Sequence, residues 1–412
     1  MAWDGTCDPD GTNSDASLSN GWQPVFQGAS ACVIALDGCS SDPCTTRITY
    51  GSNWLPAPNH PAQYDDVNGR VSWDRGCKNS GSNSSATLSN GWTPTFSGSN
   101  ACALSFEYTA CGGLYLNPVV DTNCPDPGVL VVDGGYVMAC TSGNAAAAFP
   151  IRTSSDLVNW TQSGAIFASG HRPSWAASDF WAPEIHHVGS GYVAYFTARA
   201  SNGRLSIGAA TASSPLGPFT DLGAPLVQDP SLGLIDATEF EDSSGTPYLV
   251  WKVDGNAVGQ HTPIKAAQLS ADGTQLVGST VQLITNDESW EGGVTEGPWV
   301  VAHGGDYYLF YSGNSYANST YAVGVARATA PLGPYTKLGS PILTSNASWI
   351  GPGHCSVVQT PDGDWEMVYH AWIAGHVNGP GDGRVDFVDQ IVWSNGWPSV
   401  PQAPSTHSRP MP

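Results

Sequence analysis

The sequence predicts an all-β protein, a five-bladed β-propeller catalytic domain preceded by a small duplicated Cys-rich region. One supporting observation is a segment that occurs twice within the first 111 residues, and the other is a strand pattern that recurs five times after residue 120. The composition agrees, because 48 Gly, 31 Pro, 16 Trp and 15 Tyr with only 12% charged residues are typical of many short strands joined by tight turns.

The N-terminal quarter contains the duplicated segment. WDGTCDPDGTNSDASLSNGWQPVFQGASAC at residues 3–32 returns as WDRGCKNSGSNSSATLSNGWTPTFSGSNAC at residues 73–102. The two cysteines of each copy occupy the same places, which predicts one disulfide within each module, although the connectivity does not follow from sequence. The tryptophan of each SNGW motif, Trp22 or Trp92, is either an exposed carbohydrate-stacking surface or the small core of its module.

The second repeat consists of aromatic, β-prone strands that follow Gly or Asp-Gly turns. The five strands are GGYVMACTS, SGYVAYFTA, GTPYLVWKV, GDYYLFYSG and GDWEMVYHAW, and their equivalent positions lie 56, 56, 60 and 58 residues apart. A short apolar strand precedes each of them, and four strands in each such period are typical of a propeller blade. No sustained helical period supports a TIM barrel, and a β-sandwich would not repeat at this interval. We assign residues 1–112 to the Cys-rich modules (repeats at about 3–44 and 73–111), residues 113–402 to the propeller and residues 403–412 to a tail.

Placing the five blades in phase brings the first residue of every inner strand to the same rank. These residues are Asp126, Trp181, Asp236, Glu296 and His354, separated by 55, 55, 60 and 58 positions. Inner strands of a propeller run side by side along the central channel, so equivalent positions form a ring at one end of it. A turn or a hydrogen-bonded strand end explains each polar residue alone. Three carboxylates at one rank, however, repel one another and lose hydration, which indicates a functional site.

Carboxylates that converge in an aromatic-walled pocket are what cleavage of a glycosidic bond requires. A protonated carboxyl supplies a proton to the leaving oxygen, and an ionised one activates water or attacks carbon. A third negative charge beside the acid raises the pKa of that acid. Glu291, five residues before Glu296 in SWEGGVTEGPW, is an alternative acid, but it is out of phase with the ring.

The same residues carry a resemblance to a known family. The order CPDPGVLVVDGGYVMAC, SSDLVNW, DFWAPEI, LIDATEFEDSSGTPYLVWK, VTEGPWVVAHGGDYYLFYS and GPGHCSVV resembles the five-bladed glycoside hydrolase family 43 over roughly residues 117–400. The resemblance implies that Asp126 is the general base, Glu296 the general acid and Asp236 the modulator that orients Glu296 and raises its pKa. It also implies inversion of the anomeric centre, for which the base and acid carboxyls stand about 6.5–9.5 Å apart.

The resemblance further implies a set of substrate-contacting residues. His354, in the GPGH motif, matches an axial histidine that in several members binds a calcium ion or water, and Arg384 matches an arginine that reaches the sugar or the modulator. Trp181, Trp175 and Phe149 fall where the family lines its sugar pocket, and packing between blades explains each of them equally well. We expect no required cofactor, with a structural Ca²⁺ near His354 as the one candidate metal.

Three further residues near the ring have a structural interpretation. Glu184, three residues beyond the ring position in WAPEI, is expected to lie behind the substrate-contacting residues. Cys140 and Cys355 either bridge the first and last blades or remain buried free thiols.

The leading hypothesis is an inverting exo-glycosidase that removes α-L-arabinofuranosyl or β-D-xylosyl residues from plant cell-wall polysaccharides. The short sequence after the last blade leaves no room for the β-sandwich of many β-xylosidases in the family, which favours arabinose. The alternatives are an endo-arabinanase and a non-catalytic carbohydrate-binding propeller. The binding propeller is expected to lack at least one carboxylate, whereas all three are present.

Charge and cysteine content narrow the partners and the compartment. The formal net charge is −21, so the field of the protein repels nucleic acid and anionic lipid. No apolar run reaches the roughly 18 residues of a membrane span, and ten clustered cysteines fit an oxidising compartment. The Met-Ala start lacks a basic and apolar leader, so we expect any secretion signal to have been removed. We expect a secreted monomer whose partner is a plant polysaccharide or oligosaccharide, with no nucleic-acid or membrane partner.

Overall fold

The computed structural model describes residues 114–379, 383–407 and 409–412, together with the backbone of eight short strands between residues 24 and 107. Antiparallel sheet dominates these residues, and the predicted all-β, five-bladed class is confirmed. The chain forms two compact units, which are described separately.

The smaller unit comprises Met1–Leu116 and His407–Met411. Its described strands are β1 (Pro24–Gln27), β2 (Val33–Asp37), β3 (Thr45–Tyr50), β4 (Gln63–Asp65), β5 (Arg70–Ser72), β6 (Ser82–Ser85), β7 (Thr95–Ser97), β8 (Leu104–Glu107), β9 (Leu114–Tyr115) and, near the C-terminus, β30 (Arg409–Pro410). They form a four-stranded sheet in the order β1-β2-β3-β8 and the pairs β4-β5, β6-β7 and β9-β30. The cysteines predicted to pair within the modules, and Trp22 and Trp92, lie outside the described residues.

The larger unit, Asn117–Thr406 with Pro412, contains five antiparallel sheets, each built from four consecutive strands. Blade 1 contains β10 (Gly128–Val132), β11 (Gly135–Ala139), β12 (Ala148–Ser154) and β13 (Thr161–Phe167). Blade 2 contains β14 (Ala176–Val188), β15 (Gly191–Ala200), β16 (Leu205–Ala212) and β17 (Thr220–Asp221). Blade 3 contains β18 (Leu234–Glu241), β19 (Pro247–Val253), β20 (Ile264–Gln268) and β21 (Val281–Ile284). Blade 4 contains β22 (Thr295–His303), β23 (Asp306–Gly313), β24 (Ala322–Ala328) and β25 (Thr336–Lys337), and blade 5 contains β26 (Trp349–Gln359), β27 (Trp365–Ile373), β28 (Arg384–Ser394) and β29 (Trp397–Ser399). Two single-turn 3₁₀ helices occur at Gly255–Val258 and Ser289–Glu291.

Aromatic and aliphatic side chains fill the space between successive blades. Four hydrophobic clusters of described residues join blade 1 to 2, 2 to 3, 3 to 4 and 4 to 5. Strand β19 is buried along its whole length, since both of its faces pack against neighbouring sheets. Full burial of one large apolar side chain stabilises the fold by about 1.5–3 kcal/mol, so a sheet that cannot bury its two faces alone gains most of its stability from stacking.

The junction of blade 5 with blade 1 is largely polar. The segment before blade 1 pairs with β28, where Val119 N–H donates to Asp386 O at 2.8 Å and Asp386 N–H donates to Val120 O at 2.9 Å. Ser356 on β26 accepts the N–H of Val129 on β10 at 2.9 Å, and its hydroxyl donates to Pro127 O. Backbone and hydroxyl hydrogen bonds therefore close the ring of blades.

The predicted covalent link between the first and last blades is wrong. Cys140 forms a disulfide with Cys124, and both cysteines belong to blade 1 and the segment that enters it. Cys355 is a buried free thiol, which matches the alternative expectation for that residue alone. Burial raises the pKa of Cys355 to about 12, so this thiol stays protonated and unreactive.

Candidate active site

A residue with left-handed backbone occurs in every blade at the predicted ring position or one residue after it. These residues are Asp126 (φ 58°), Ala182 (φ 42°), Asp236 (φ 56°), Gly297 (φ 54°) and His354 (φ 47°). In blades 2 to 5 the pairing register of the inner strand shifts at this point. A bulge of this kind redirects a side chain, and a non-glycine residue in this conformation costs about 1–3 kcal/mol. Each blade therefore has a residue with left-handed backbone at or next to the position that the sequence predicted for the ring.

The predicted ring residues converge at this end of the channel. Asp126, Asp236 and His354 have the left-handed backbone themselves, and Trp181 and Glu296 each precede it by one residue. Asp126, Asp236 and His354 are 8%, 6% and 7% exposed. His354 interacts electrostatically with all three carboxyls, and Asp236 interacts with the other two. The geometric prediction that three acids face a common space therefore agrees with the structure.

Polar neighbours hold Asp126 in its ionised form. Arg384 Nη1 donates to Asp126 Oδ1 at 2.7 Å, Thr141 Oγ1 donates to Oδ2 at 2.6 Å, and His354 Nδ1 lies 3.5 Å from Oδ1. Burial alone would raise the pKa of Asp126, but the positive charge of Arg384, followed by the two nearby histidines and Thr141, holds it well below the usual range. Asp126 is therefore a carboxylate at any physiological pH, as a proton acceptor must be.

Glu296 is held by a buried ammonium group and a phenol. Lys252 Nζ donates to Glu296 Oε2 at 2.9 Å, and Tyr321 donates its hydroxyl proton to Oε1 at 2.8 Å. Lys252 is 1% exposed and also lies 3.2 Å from Asp254 Oδ1. Burial alone would raise the pKa of Glu296, but the charge and hydrogen bond of Lys252 and the hydrogen bond from Tyr321 lower it below the usual value.

Asp236 carries the proton of the coupled pair that it forms with Glu296. Its Oδ2 accepts the N–H of Gly297 at 3.0 Å, which ties Asp236 to the residue directly after Glu296. Burial, followed by the negative charge of Glu296, raises the pKa of Asp236 to about 6. When two carboxyls interact this strongly, the pKa values seen in a titration describe the pair and not either residue alone. The sequence predicted a raised pKa for Glu296; in the free protein Lys252 lowers the pKa of Glu296, and burial raises that of its neighbour Asp236.

Two cations and a histidine lie among the three carboxyls. Arg384 binds Asp126, Lys252 binds Glu296, and His354 lies among all of them. Burial alone would lower the pKa of His354, but the negative charges of Asp126, Asp236 and Glu296 raise it. This balance explains how three acids are tolerated in a buried cluster.

Of the three aromatic residues predicted to line the sugar pocket, only Trp181 lies on the ring. Trp181 is half-buried and pairs with Thr197 across the sheet. Phe149 is fully buried in the core between blades 1 and 2, with its ring centroid 5.3 Å from that of Phe196, so its assignment to the pocket wall is wrong. Trp175 stacks on Phe196 at 6.0 Å, and its Nε1 donates to Asp221 at 3.1 Å, which makes it a packing residue of blade 2 in this structure.

Two other expectations concern charged residues. Arg384 contacts Asp126, the predicted base, whereas the sequence predicted a contact with the sugar or with Asp236. Glu291, the alternative acid, is fully buried and bonded to Lys337 and Tyr311, so it is not available to a substrate. Glu184 is buried beneath the ring, where its Oε2 lies 2.8 Å from His186 Nε2.

Lys252, Tyr321, Thr141 and His370 contact the carboxyls and were missed by sequence reasoning. The backbone N–H of Asp126 donates to His370 Nδ1 at 3.2 Å, which completes the set of contacts. Tyr321 lies directly before β24 and has no counterpart in the repeat that could have identified it. It fits only because residue 353 is glycine: a Cβ there would lie 2.1 Å from Tyr321 Cε1.

The described residues do not offer a ready-made calcium site at His354. Ca²⁺ takes six to eight oxygen ligands in roughly spherical arrangements. Within the described part of the chain, the one group of three closely spaced metal-ligating side chains is Cys124, Cys140 and Asp386, and its two cysteines are joined in a disulfide. The calcium ion near His354 stays a prediction.

Comparison with known proteins identifies the family. The sequence matches the description "Glycosyl hydrolases family 43" over residues 115–398. The chain belongs to this family. As a family 43 protein it is a glycoside hydrolase, and the resemblance drawn from the sequence motifs is confirmed. Among the described residues, no helix combines the length and the hydrophobicity that crossing a bilayer requires.

Several relatives and solved structures are similar to this family 43 chain. A β-D-galactofuranosidase of Aspergillus niger is 29% identical over 61% of this chain and 74% of its own length. An arabinoxylan arabinofuranohydrolase of Bacillus subtilis is 31% identical over 58% of this chain and 52% of its own length. The crystal structure of a thermostable family-43 glycoside hydrolase superposes with a TM-score of 0.64 and 36% identity, covering 70% of this chain and 96% of that one. The chain spans about half the length of several curated relatives, at 47%, 46% and 52%.

Proposed function

We propose that this family 43 chain is a secreted, inverting exo-glycosidase that removes α-L-arabinofuranosyl residues from plant cell-wall polysaccharides. The observation that carries the proposal is the division of protonation among three buried carboxyls at one end of the channel. Asp126 is held ionised, while the pair of Asp236 and Glu296 retains a proton up to a pKa of about 6. One group ready to accept a proton and another ready to supply one are what inverting hydrolysis requires.

Each carboxyl has a distinct role in the proposed reaction. Asp126 accepts a proton from water as the water oxygen bonds to the anomeric carbon, and the bond from that carbon to the leaving oxygen breaks. The leaving oxygen takes a proton from Glu296, because Glu296 is the more exposed member of the pair. Asp236 stores the proton in the free protein and passes it to Glu296 once a bound sugar has displaced water.

The choice of a furanose substrate rests on the names of relatives. Similar proteins include extracellular exo-α-(1→5)-L-arabinofuranosidases of two Streptomyces species, the arabinofuranohydrolase of Bacillus subtilis and the β-D-galactofuranosidase of Aspergillus niger. The extracellular relatives, together with the Cys124–Cys140 disulfide, support secretion. The partly exposed side chain of Trp181, directly before the left-handed residue Ala182, offers an apolar face on which a sugar can stack.

The test compares 4-nitrophenyl α-L-arabinofuranoside, β-D-xylopyranoside and β-D-galactofuranoside, followed by arabinoxylan and arabinan, with Asp126→Ala as the matched inactive control. We expect the highest kcat/KM with the arabinofuranoside, and NMR of the first-formed arabinose should show the inverted anomer. Faster release of xylose or galactose would transfer the assignment to that sugar. Oligosaccharides released from debranched arabinan would indicate an endo-arabinanase, and binding without turnover would indicate a binding propeller.

A further inference from the structure

A second set of five side chains surrounds the catalytic carboxyls. They lie in or just after the last part of the second strand of each blade and are Thr141, Thr197, Lys252, Ser312 and His370. Successive members are 56, 55, 60 and 58 residues apart, which repeats the spacing of the blades. Thr197, Ser312 and His370 are 0% exposed and Lys252 is 1% exposed. We call this set the second-strand ring.

In four blades the ring residue accepts a backbone N–H from the next blade. Thr141 Oγ1 accepts from Ala182 at 2.7 Å, Thr197 Oγ1 from Asp236 at 3.1 Å, Ser312 Oγ from His354 at 2.8 Å and His370 Nδ1 from Asp126 at 3.2 Å. Each of these N–H groups belongs to a residue with left-handed backbone. The last link passes from blade 5 to blade 1, so the chain of contacts closes on itself.

Blade 3 departs from this pattern in a way that involves the acid. An ammonium group has no acceptor, so Lys252 cannot take a backbone N–H and binds the Glu296 side chain instead. In the pattern of the other blades, the Gly297 N–H would donate to the side chain at position 252. Here it donates to Asp236 Oδ2 instead. At the junction of blades 3 and 4, the side chains of Lys252 and Asp236 therefore take the place of the single hydroxyl or imidazole acceptor found at the other junctions.

We propose that the second-strand ring positions the catalytic residues, each member fixing the strained residue of the following blade so that the carboxyls converge. This inference rests on the proposed roles of Asp126, Asp236 and Glu296. A buried N–H without an acceptor costs more than an ordinary hydrogen bond contributes, so removing a ring hydroxyl allows the left-handed residue to relax. The side chain that the residue aims at the channel then moves with it.

The effect depends on which carboxyl the ring residue serves. Thr141 Oγ1 accepts the Ala182 N–H and donates its hydroxyl proton to Asp126 Oδ2. Thr197 holds the backbone of Asp236, which in turn holds Gly297 and the acid before it. Loss of Thr141 therefore disturbs the base, and loss of Thr197 disturbs proton supply to the leaving oxygen.

The test uses Thr141→Val and Thr197→Val, with an activated aryl arabinofuranoside and an arabinoxylan oligosaccharide as substrates. For Thr141→Val we expect kcat to fall about tenfold on both substrates, the effect of one lost hydrogen bond in the transition state. For Thr197→Val we expect about a tenfold loss on the oligosaccharide and less than about threefold on the aryl glycoside, whose leaving group needs little protonation. Thr197→Ser, which keeps the hydroxyl, should restore the oligosaccharide rate.

Thr238→Val is the matched control. Thr238 lies on the same inner strand as Asp236, is fully buried, and its Oγ1 has no hydrogen-bond partner among the described residues. It should keep wild-type rates on both substrates. Equal losses in Thr197→Val and Thr238→Val, or folded Thr141→Val and Thr197→Val variants with wild-type kcat on both substrates, would overturn the positioning role. A wild-type protein that releases no sugar would instead refute the proposed function and is recognised before any variant is made.

Discussion

Lys252 determines where the proton of the acid pair resides, and replacing it by methionine tests that role. The Nζ to Oε2 distance is 2.9 Å. At an effective dielectric constant of about 20, two unit charges about 4 Å apart attract by about 4 kcal/mol, and 1.36 kcal/mol corresponds to one pKa unit. Loss of the ammonium could therefore raise the pKa of the pair by up to about three units. Because the Glu296 side chain is partly exposed and solvent screens the pair, we expect a net rise of about one to two units.

The assay is the pH dependence of kcat/KM on an oligosaccharide, because this ratio reports the free enzyme and a poor leaving group needs the acid. The basic limb should move from near pH 6 in the wild type to higher pH in Lys252→Met. Lys265→Met, which removes a lysine from β20 of the same blade, should leave the limb in place. A folded Lys252→Met protein with an unchanged basic limb would refute the assignment of the proton to a pair controlled by Lys252.

Stability provides an independent readout of the same substitution. The pKa of Glu296 is lowered in the folded protein, so its ion pair contributes stability above the unfolded value of 4.5 that is lost as the pH falls through the folded pKa. Breaking a buried pair costs about 3–5 kcal/mol. The loss of stability in Lys252→Met should therefore be largest at neutral pH and smaller near pH 4, measured by denaturant unfolding at both pH values.

Three further substitutions test the carboxyls. Asp126→Ala should lose activity on both aryl and oligosaccharide substrates and regain it with added azide; full activity without azide would exclude Asp126 as the base. Glu296→Ala should lose far more activity on the oligosaccharide than on the activated aryl glycoside, and equal losses on the two would exclude it as the acid. The pKa of Asp236 is raised to about 6, so the native state binds the extra proton between about pH 4 and 6 and loses about 3 kcal/mol of stability as the pH rises through this window. Asp236→Asn should therefore unfold at a higher temperature than the wild type at pH 8 despite its loss of activity, and a lower melting temperature at pH 8 would contradict this account.

The repeat spacing was sufficient to predict the blades and the rank at which three carboxyls lie close together. Successive blades repeat the same four-stranded unit, so a nearly fixed interval in sequence becomes a similar position around the channel, and the grouping of Asp126, Asp236 and Glu296 followed from it. Lys252 and His370 follow the same interval on the second strands. They were missed because only the inner strands were placed in phase.

Packing direction and covalent pairing could not be predicted in the same way. Phe149 was placed at the pocket wall by resemblance, yet it has left-handed backbone and its side chain packs in the core between blades 1 and 2. Cys140 pairs with Cys124 because the entry segment of blade 1 folds back beside the end of β11. Both outcomes depend on the direction in which the backbone and side chains point in three dimensions. The spacing of residues along the sequence gives no information about that direction.

The blade 3 junction explains how buried charged groups and residues with left-handed backbone occur together in this cluster. A neutral second-strand ring would satisfy every strained N–H and leave the carboxyls uncoupled. At the junction of blades 3 and 4, the Gly297 N–H donates to Asp236, so the residue at position 252 is not needed as its acceptor. Lys252 occupies this position and donates to Glu296. The exchange connects the two carboxyls through one backbone amide and one cation: Lys252 keeps Glu296 ionised, while burial and the negative charge of Glu296 raise the pKa of Asp236 to about 6. The departure from the repeat is therefore the feature that distinguishes a catalytic junction from the four junctions that position it.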